Sequence, residues 1–180
     1  DAFEDNNYYD DGTDTFITGE DPINYVWYSG ELWRAVLINN DNRTVKLITQ
    51  WSMSSISYNS NNNSVYDGSY VEIWLNDTSV DGFLGNLRDP ESFIVMDYEW
   101  NATMMSDSSK PNTTTMIENP VGLITIYEYA MSYNATTYNN GYLNNGQYYW
   151  TMTPYNSTRT WNINADGNLN QGTVTYVDAI

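Results

Sequence analysis

Between Pro22 and Trp51 apolar and polar positions follow the two-residue period of β-strands. Tyr25 to Tyr28 leads through a Ser29-Gly30 turn into Glu31 to Ile38, where Leu32, Arg34, Val36 and Ile38 alternate with Trp33, Ala35 and Leu37. Both faces of that second run are mostly apolar, which predicts a strand covered on both sides. Asn39 to Asn42 forms a polar turn, and Thr44 to Trp51 is the next member of the same meander. A Ser/Asn-rich loop follows to about Ser64, with one short strand at Ile56 to Tyr58. Ser69-Tyr70-Val71-Glu72 and Thr125-Ile126-Tyr127-Glu128 each have the spacing of a capping box, in which a hydroxyl satisfies one orphan N–H and a carboxylate another. Two short helices are expected there. Phe93 to Tyr98 has the composition of a buried strand, and the last third returns to strands at Tyr148 to Thr153, Thr158 to Asn164 and Thr173 to Val177, with a turn at 165–168.

Composition narrows what this framework can do. The chain has 180 residues, 41% apolar and 16% aromatic, enough for one folded core. Its polarity comes largely from 25 Asn and 34 Ser plus Thr, against only two Lys and four Arg. The formal charge of −17 repels phosphate backbones and anionic lipids, so nucleic acid is not an expected partner. Cysteine and histidine are both absent, which removes disulfides, thiolate metal sites, His-ligated zinc, serine-hydrolase triads and imidazole proton shuttles. No transmembrane segment is expected, because the longest apolar runs are far shorter than the roughly 18 residues that span a bilayer. The opening Asp1-Ala2-Phe3-Glu4 carries no signal peptide and suits a processed form or an ectodomain.

Residues 1–21 hold eight acidic groups and no basic one, and they are read as an acidic arm preceding a single domain at 22–180. The arm is either a solvated tail or, through Tyr8, Tyr9, Phe16 and Ile17, a segment that orders against a neighbouring subunit. A calcium site at Asp10-Asp11-Gly12-Thr13-Asp14 is a third option, although the cluster lacks EF-hand spacing.

The run Tyr149-Trp150-Thr151-Met152-Thr153-Pro154, followed by Trp161-Asn162-Ile163-Asn164-Ala165-Asp166-Gly167, resembles the closing segment of a domain common on Gram-positive bacterial surfaces. Asn24-Tyr25-Val26-Trp27, Leu32-Trp33-Arg34-Ala35-Val36, Trp74-Leu75-Asn76-Asp77 and Val121-Gly122-Leu123 are similar to earlier blocks of the same family. The resemblance implies a C-type-lectin-like α+β fold of twisted antiparallel sheets with two short helices. It also implies surface display, often behind a type IV pilin-like N-terminus. It brings no established activity. The chain departs from the family at Tyr176-Val177-Asp178-Ala179-Ile180, where members continue into a last apolar strand. An unfilled sheet edge that takes a strand from another chain is therefore expected, with trimming of the terminus as the alternative.

Seven Asn-x-Ser/Thr sequons, at Asn42, Asn62, Asn76, Asn101, Asn112, Asn134 and Asn156, are candidate glycosylation sites, and Asn76 doubles as a candidate structural cap. Tyr148, Tyr149, Trp150, Tyr155 and Trp161 could furnish an aromatic face for a sugar, or could instead be core. The calcium-dependent sugar-binding motifs of true lectins are missing, and Glu118-Asn119-Pro120 has their letters in another order. Glu31, Glu72, Asp77, Glu99, Glu118 and Glu128 include no pair whose spacing marks a glycoside hydrolase. Lys46 and Lys110 are ordinary exposed lysines or, less simply, isopeptide donors. The sequence thus points to a non-enzymatic, extracellular or cell-surface subunit of a pilus-like fibre that joins copies of itself by arm or strand exchange. A monomeric adhesin or carbohydrate-binding module is the other reading.

Overall fold

Strand β4 (Glu31–Asn39) organises the first half of the molecule, and β9 (Tyr149–Asn156) the second. The computed structural model describes residues 7–132 and 141–180. In chain order the other elements are β1 (Tyr8–Asp10), β2 (Asp14–Ile17), β3 (Tyr25–Tyr28), β5 (Val45–Thr49), β6 (Ser55–Ser57), α1 (Tyr70–Asn76), α2 (Pro90–Phe93), β7 (Glu99–Asn101), β8 (Met116–Glu118), α3 (Ile126–Met131), β10 (Arg159–Ile163), β11 (Leu169–Thr173) and β12 (Val177–Ala179). A 3₁₀ turn covers Leu84–Asn86. The fold is α+β with mostly antiparallel sheets: β1-β2-β4-β3 with β5 on the other side of β4, β11-β10-β9-β12-β6, and the hairpin β7-β8.

Residues of β9 alternate between two apolar clusters, as the strand period requires. Trp150 (0% exposed) and Met152 enter one cluster with Trp33, Tyr58 and Trp100. Tyr149 enters the other with Val36, Ile126, Tyr129 and Trp161. Buried polar groups on this strand are paired: Thr151 Oγ1 donates to the Trp161 carbonyl at 2.8 Å, and Trp150 Nε1 to the Ile56 carbonyl at 3.0 Å.

Both expected helices form. At α3 the capping box is complete, whereas at α1 only the Ser69 half is made, because Glu72 accepts from Asn119 instead. The strand expected at Phe93 to Tyr98 does not form. Pro90 occupies the first turn of α2, its fixed φ starts a helical turn, and Phe93 ends that turn 67% exposed. Leu169–Thr173 pairs with β10, so the final hairpin strand begins earlier than the composition suggested, and Thr173 to Tyr176 turns into β12.

Two expectations about the chain ends are corrected. Within the segment read as an arm, β1 and β2 form a hairpin that pairs with β4, and Phe16 is 0% exposed. The loop joining them is held by Asp11, whose carboxylate accepts from the backbone of Thr13 and Asp14, from Lys110 Nζ at 2.7 Å and from Tyr127 Oη at 2.6 Å. At the other end, β12 inserts between β9 and β6: Ala179 pairs with Tyr149, Val177 pairs with Ser57, and the Ile180 N–H donates to Ser54. The closing strand comes from the chain itself, so this edge is not vacant for a neighbour's strand.

Burial raises the pKa of the Asp11 carboxyl, but its hydrogen bonds from Lys110, Tyr127 and the backbone outweigh this and hold it well below the usual range. A group depressed in the folded state stabilises fully above its unfolded pKa and loses that contribution as pH falls through the folded value. Asp11→Asn should therefore cost about 1.5–3 kcal/mol at pH 7, the scale of hydrogen bonds to charged groups, in urea unfolding. The difference from the parent should shrink in strong acid.

Candidate functional site

The outer strands of the first sheet leave apolar edges open. β3 and β5 each pair with β4 alone among the described strands, on opposite sides of it. The Ala35 N–H donates to the Asn24 carbonyl at 2.9 Å, so antiparallel alternation turns the backbone groups of Tyr25 and Trp27 outward. The Gln50 N–H donates to the Leu32 carbonyl at 2.8 Å and the Asn39 N–H to the Thr44 carbonyl at 2.9 Å, which turns Val45, Leu47 and Thr49 outward on β5. Other edge strands are blunted: β1 has three residues and carries Asp10, β6 has three residues with two serines, and β11 is Leu-Asn-Gln-Gly-Thr.

A groove of about 580 Å³ runs beside β5, walled by Phe93 to Val95, Tyr98 and Pro120 to Ile124 and floored by Trp33, Trp100 and Trp150. At its mouth Trp27 is 72% exposed and Trp51 64% exposed, with Met53, Val45 and Val95 also exposed. Glycine is required in the wall at Gly122, where a Cβ would stand 2.6 Å from the Trp100 ring and from the Met152 methyl. Such a continuous apolar surface beside unpaired strand backbone is suited to receiving an extended segment.

Lys46, the only charged residue of β5, does not guard this edge. Its ammonium pairs with Glu128 and lies 4.4 Å from the Trp100 ring centroid and 5.3 Å from that of Tyr98. Burial lowers the Lys46 pKa, but the facing Glu128, Tyr98 and Asp14 outweigh it and hold the ammonium above its ordinary value. The ordinary exposed lysine expected here is thus a nearly buried one. Lys110 is half exposed and bonds Asp11 and Thr13.

The structure separates the residues singled out from sequence. Of the five aromatics, Tyr149, Trp150 and Trp161 are buried and Tyr155 partly so, leaving Tyr148 alone exposed; they form no sugar-binding face because both faces of β9 are covered. The acidic loop is committed to its own turn: Asp10 accepts from Gly12 and Asn40, and Asp14 accepts from Asn39. No group of three or more acidic residues is arranged to hold a cation among the described residues. Glu99 and Glu118 face each other across β7-β8, both exposed, and neither lines the groove. Asn42, Asn62 and Asn112 are exposed, and none of them lines the groove. Asn42, Asn101, Asn112 and Asn156 each accept from the backbone N–H of their own sequon threonine. Asn76 is a tether, its amide donating to Glu72 and Val121 and accepting from the Val121 N–H, and the Asn101 amide donates to Asn112. Asn134 lies outside the described residues. The open edges of β3 and β5 were not singled out from sequence, although the charge-free Tyr-Val-Trp-Tyr run was a signal for one of them.

No protein-family model, curated protein or solved structure matches the chain.

Replacing Lys46 leaves the nearly buried Glu128 carboxylate without its cation. Lys46→Met should cost about 3–5 kcal/mol in urea unfolding, the scale for breaking a buried pair, and the double variant Lys46→Met/Glu128→Gln should recover part of the loss.

Proposed function

We propose that this chain is a non-catalytic structural subunit of an extracellular, pilus-like fibre, assembled by edge-to-edge addition of one copy to the next. The observation that carries this reading is the pair of unlike, open, apolar edges on opposite sides of β4. β3 and β5 are both antiparallel to β4 and hence parallel to each other, so a copy displaced across the sheet sets its β3 alongside β5 of its neighbour. Contacts between unlike surfaces do not close on themselves, and they extend into filaments. The neighbour's β3 then lies along β5 with Val26 and Tyr28 on the Trp33 side, toward the groove, and Tyr25 and Trp27 on the other face, removing from water apolar surface that a free monomer leaves exposed.

The sequons suit the same arrangement. Asn62 and Asn112 are exposed and do not line the groove, so glycans there would not block addition. The net charge of −17 opposes association, and screening relieves it. Assembly is driven by apolar burial and strand pairing, so light scattering should rise with added salt, and a steady fall would contradict the reading. A charge on either edge blocks one half of the contact. Trp27→Lys and Val45→Lys should each abolish fibres in negative-stain microscopy. Mixed together they should form a dimer and stop, because each supplies the edge the other lacks.

A further inference from the structure

The face of the β3-β4-β5 sheet turned away from Trp33 carries a second concavity, of about 420 Å³, lined by Tyr25, Leu32, Arg34, Gln50, Trp51 and Asn144 beside Glu20 and Asp21. This volume lies within the roughly 300–1,000 Å³ of small-ligand sites. Arg34, only 3% exposed, is the centre of the site. Its guanidinium lies 3.9 Å from the Tyr25 ring centroid and 4.9 Å from that of Tyr142. Nε donates to Asn24 Oδ1, Nη1 to Gln50 Oε1, and Nη2 to the Pro22 carbonyl and Asp21 Oδ1. Asp21 also accepts from Tyr25 Oη at 2.7 Å.

This network fixes the directions in which the remaining polar atoms point. With Gln50 Oε1 held by Arg34, the Gln50 amide protons are left as donors, while the second oxygen of Asp21 is left as an acceptor. Trp51 adds an indole face and an N–H that has no partner among the described residues. We infer that this concavity is a binding site for a neutral saccharide, whose C–H face stacks on Trp51 and whose hydroxyls bond Gln50 and Asp21.

The choice of ligand class follows from the charges and shape. The one cation, Arg34, is neutralised by Asp21, and Glu20 leaves the site net negative, so an anionic ligand is repelled. A metal-sized cation would face the Arg34 guanidinium between the carboxylates. A purely apolar ligand would leave Asp21 and Gln50 unpaired. Sugar hydroxyls are both donors and acceptors, and they match a site that offers one of each beside a ring.

The site includes Tyr25 of β3 and Trp51 of the groove mouth but neither Trp27 nor Val45, so a charge placed at Trp27 blocks assembly without altering a residue of the site, and the two readings fail separately. Short neutral oligomers of glucose, mannose and N-acetylglucosamine, and sialylated and sulfated oligosaccharides as anionic probes, are titrated into the full chain while the indole N–H resonances are followed by NMR. The Trp51 resonance, assigned by its loss in Trp51→Ala, should shift with at least one neutral probe and with no anionic one. Trp51→Ala and Gln50→Ala should each weaken that binding about tenfold or more, while Trp27→Lys, which blocks assembly, should leave it unchanged. Should Trp51→Ala fail to fold, Gln50→Ala carries the comparison on its own. Absence of binding by every neutral probe, preference for an anionic one, or undiminished affinity in Gln50→Ala would overturn the assignment.

Discussion

β4 is the strand of the first sheet that pairs with three others among the described residues, and it satisfies its backbone by drawing them to it: β2 and β3 in succession on one side, β5 on the other. An N–H or C=O withdrawn from water must find a partner, so a strand with buried residues through its middle has to be flanked in this way. The flanking strands then present their own unpaired rows outward. Saturating β4 is what creates the two open edges. The hydrophobic content of β3 and β5 makes those edges adhesive where the polar or very short β1, β6 and β11 are not.

Of the six basic residues, Arg34 and Lys46 are turned inside. Arg34 and Lys46 are held by carboxylates and aromatic rings, and Lys110 clamps the Asp11 loop, which ties the first hairpin to the body of the molecule. A lysine that could have protected the β5 edge from unwanted pairing is instead turned into the protein against Glu128. That choice stabilises the packing of α3 on the sheet and leaves the edge without the charge that ordinarily prevents strand addition.

Much of the framework was legible because it depends on local signals. The two-residue alternation of 25–38 and the hydroxyl-to-glutamate spacing at Thr125 led directly to β3, β4 and α3. What escaped depends on long-range contacts. The acidic composition of residues 1–21 suggested an arm, but one carboxylate, Asp11, gathers donors from Lys110 and Tyr127, about a hundred residues away, and the hairpin docks. The run Tyr176 to Ile180 suggested a vacant edge, yet β12 fills it through pairing with Ser55–Ser57, a segment whose serines give little strand signal. The aromatics Tyr148, Tyr149, Trp150, Tyr155 and Trp161 suggested a sugar face, and all but Tyr148 instead pack into the core, because apolar clusters cover both sides of β9. The residues that line the polar concavity, Asp21, Tyr25, Arg34, Gln50 and Trp51, are scattered over thirty positions and come together only through the β3-β4-β5 register.

Backbone amide exchange tests the assembly account most directly, because it reads hydrogen bonds at individual strand positions. In dilute, low-salt solution the outward amides of Tyr25, Trp27, Val45, Leu47 and Thr49 should exchange freely, and at high concentration and salt the same five should become protected together. Free exchange of these amides in assembled material, or protection that rises only at other surfaces, would contradict the account.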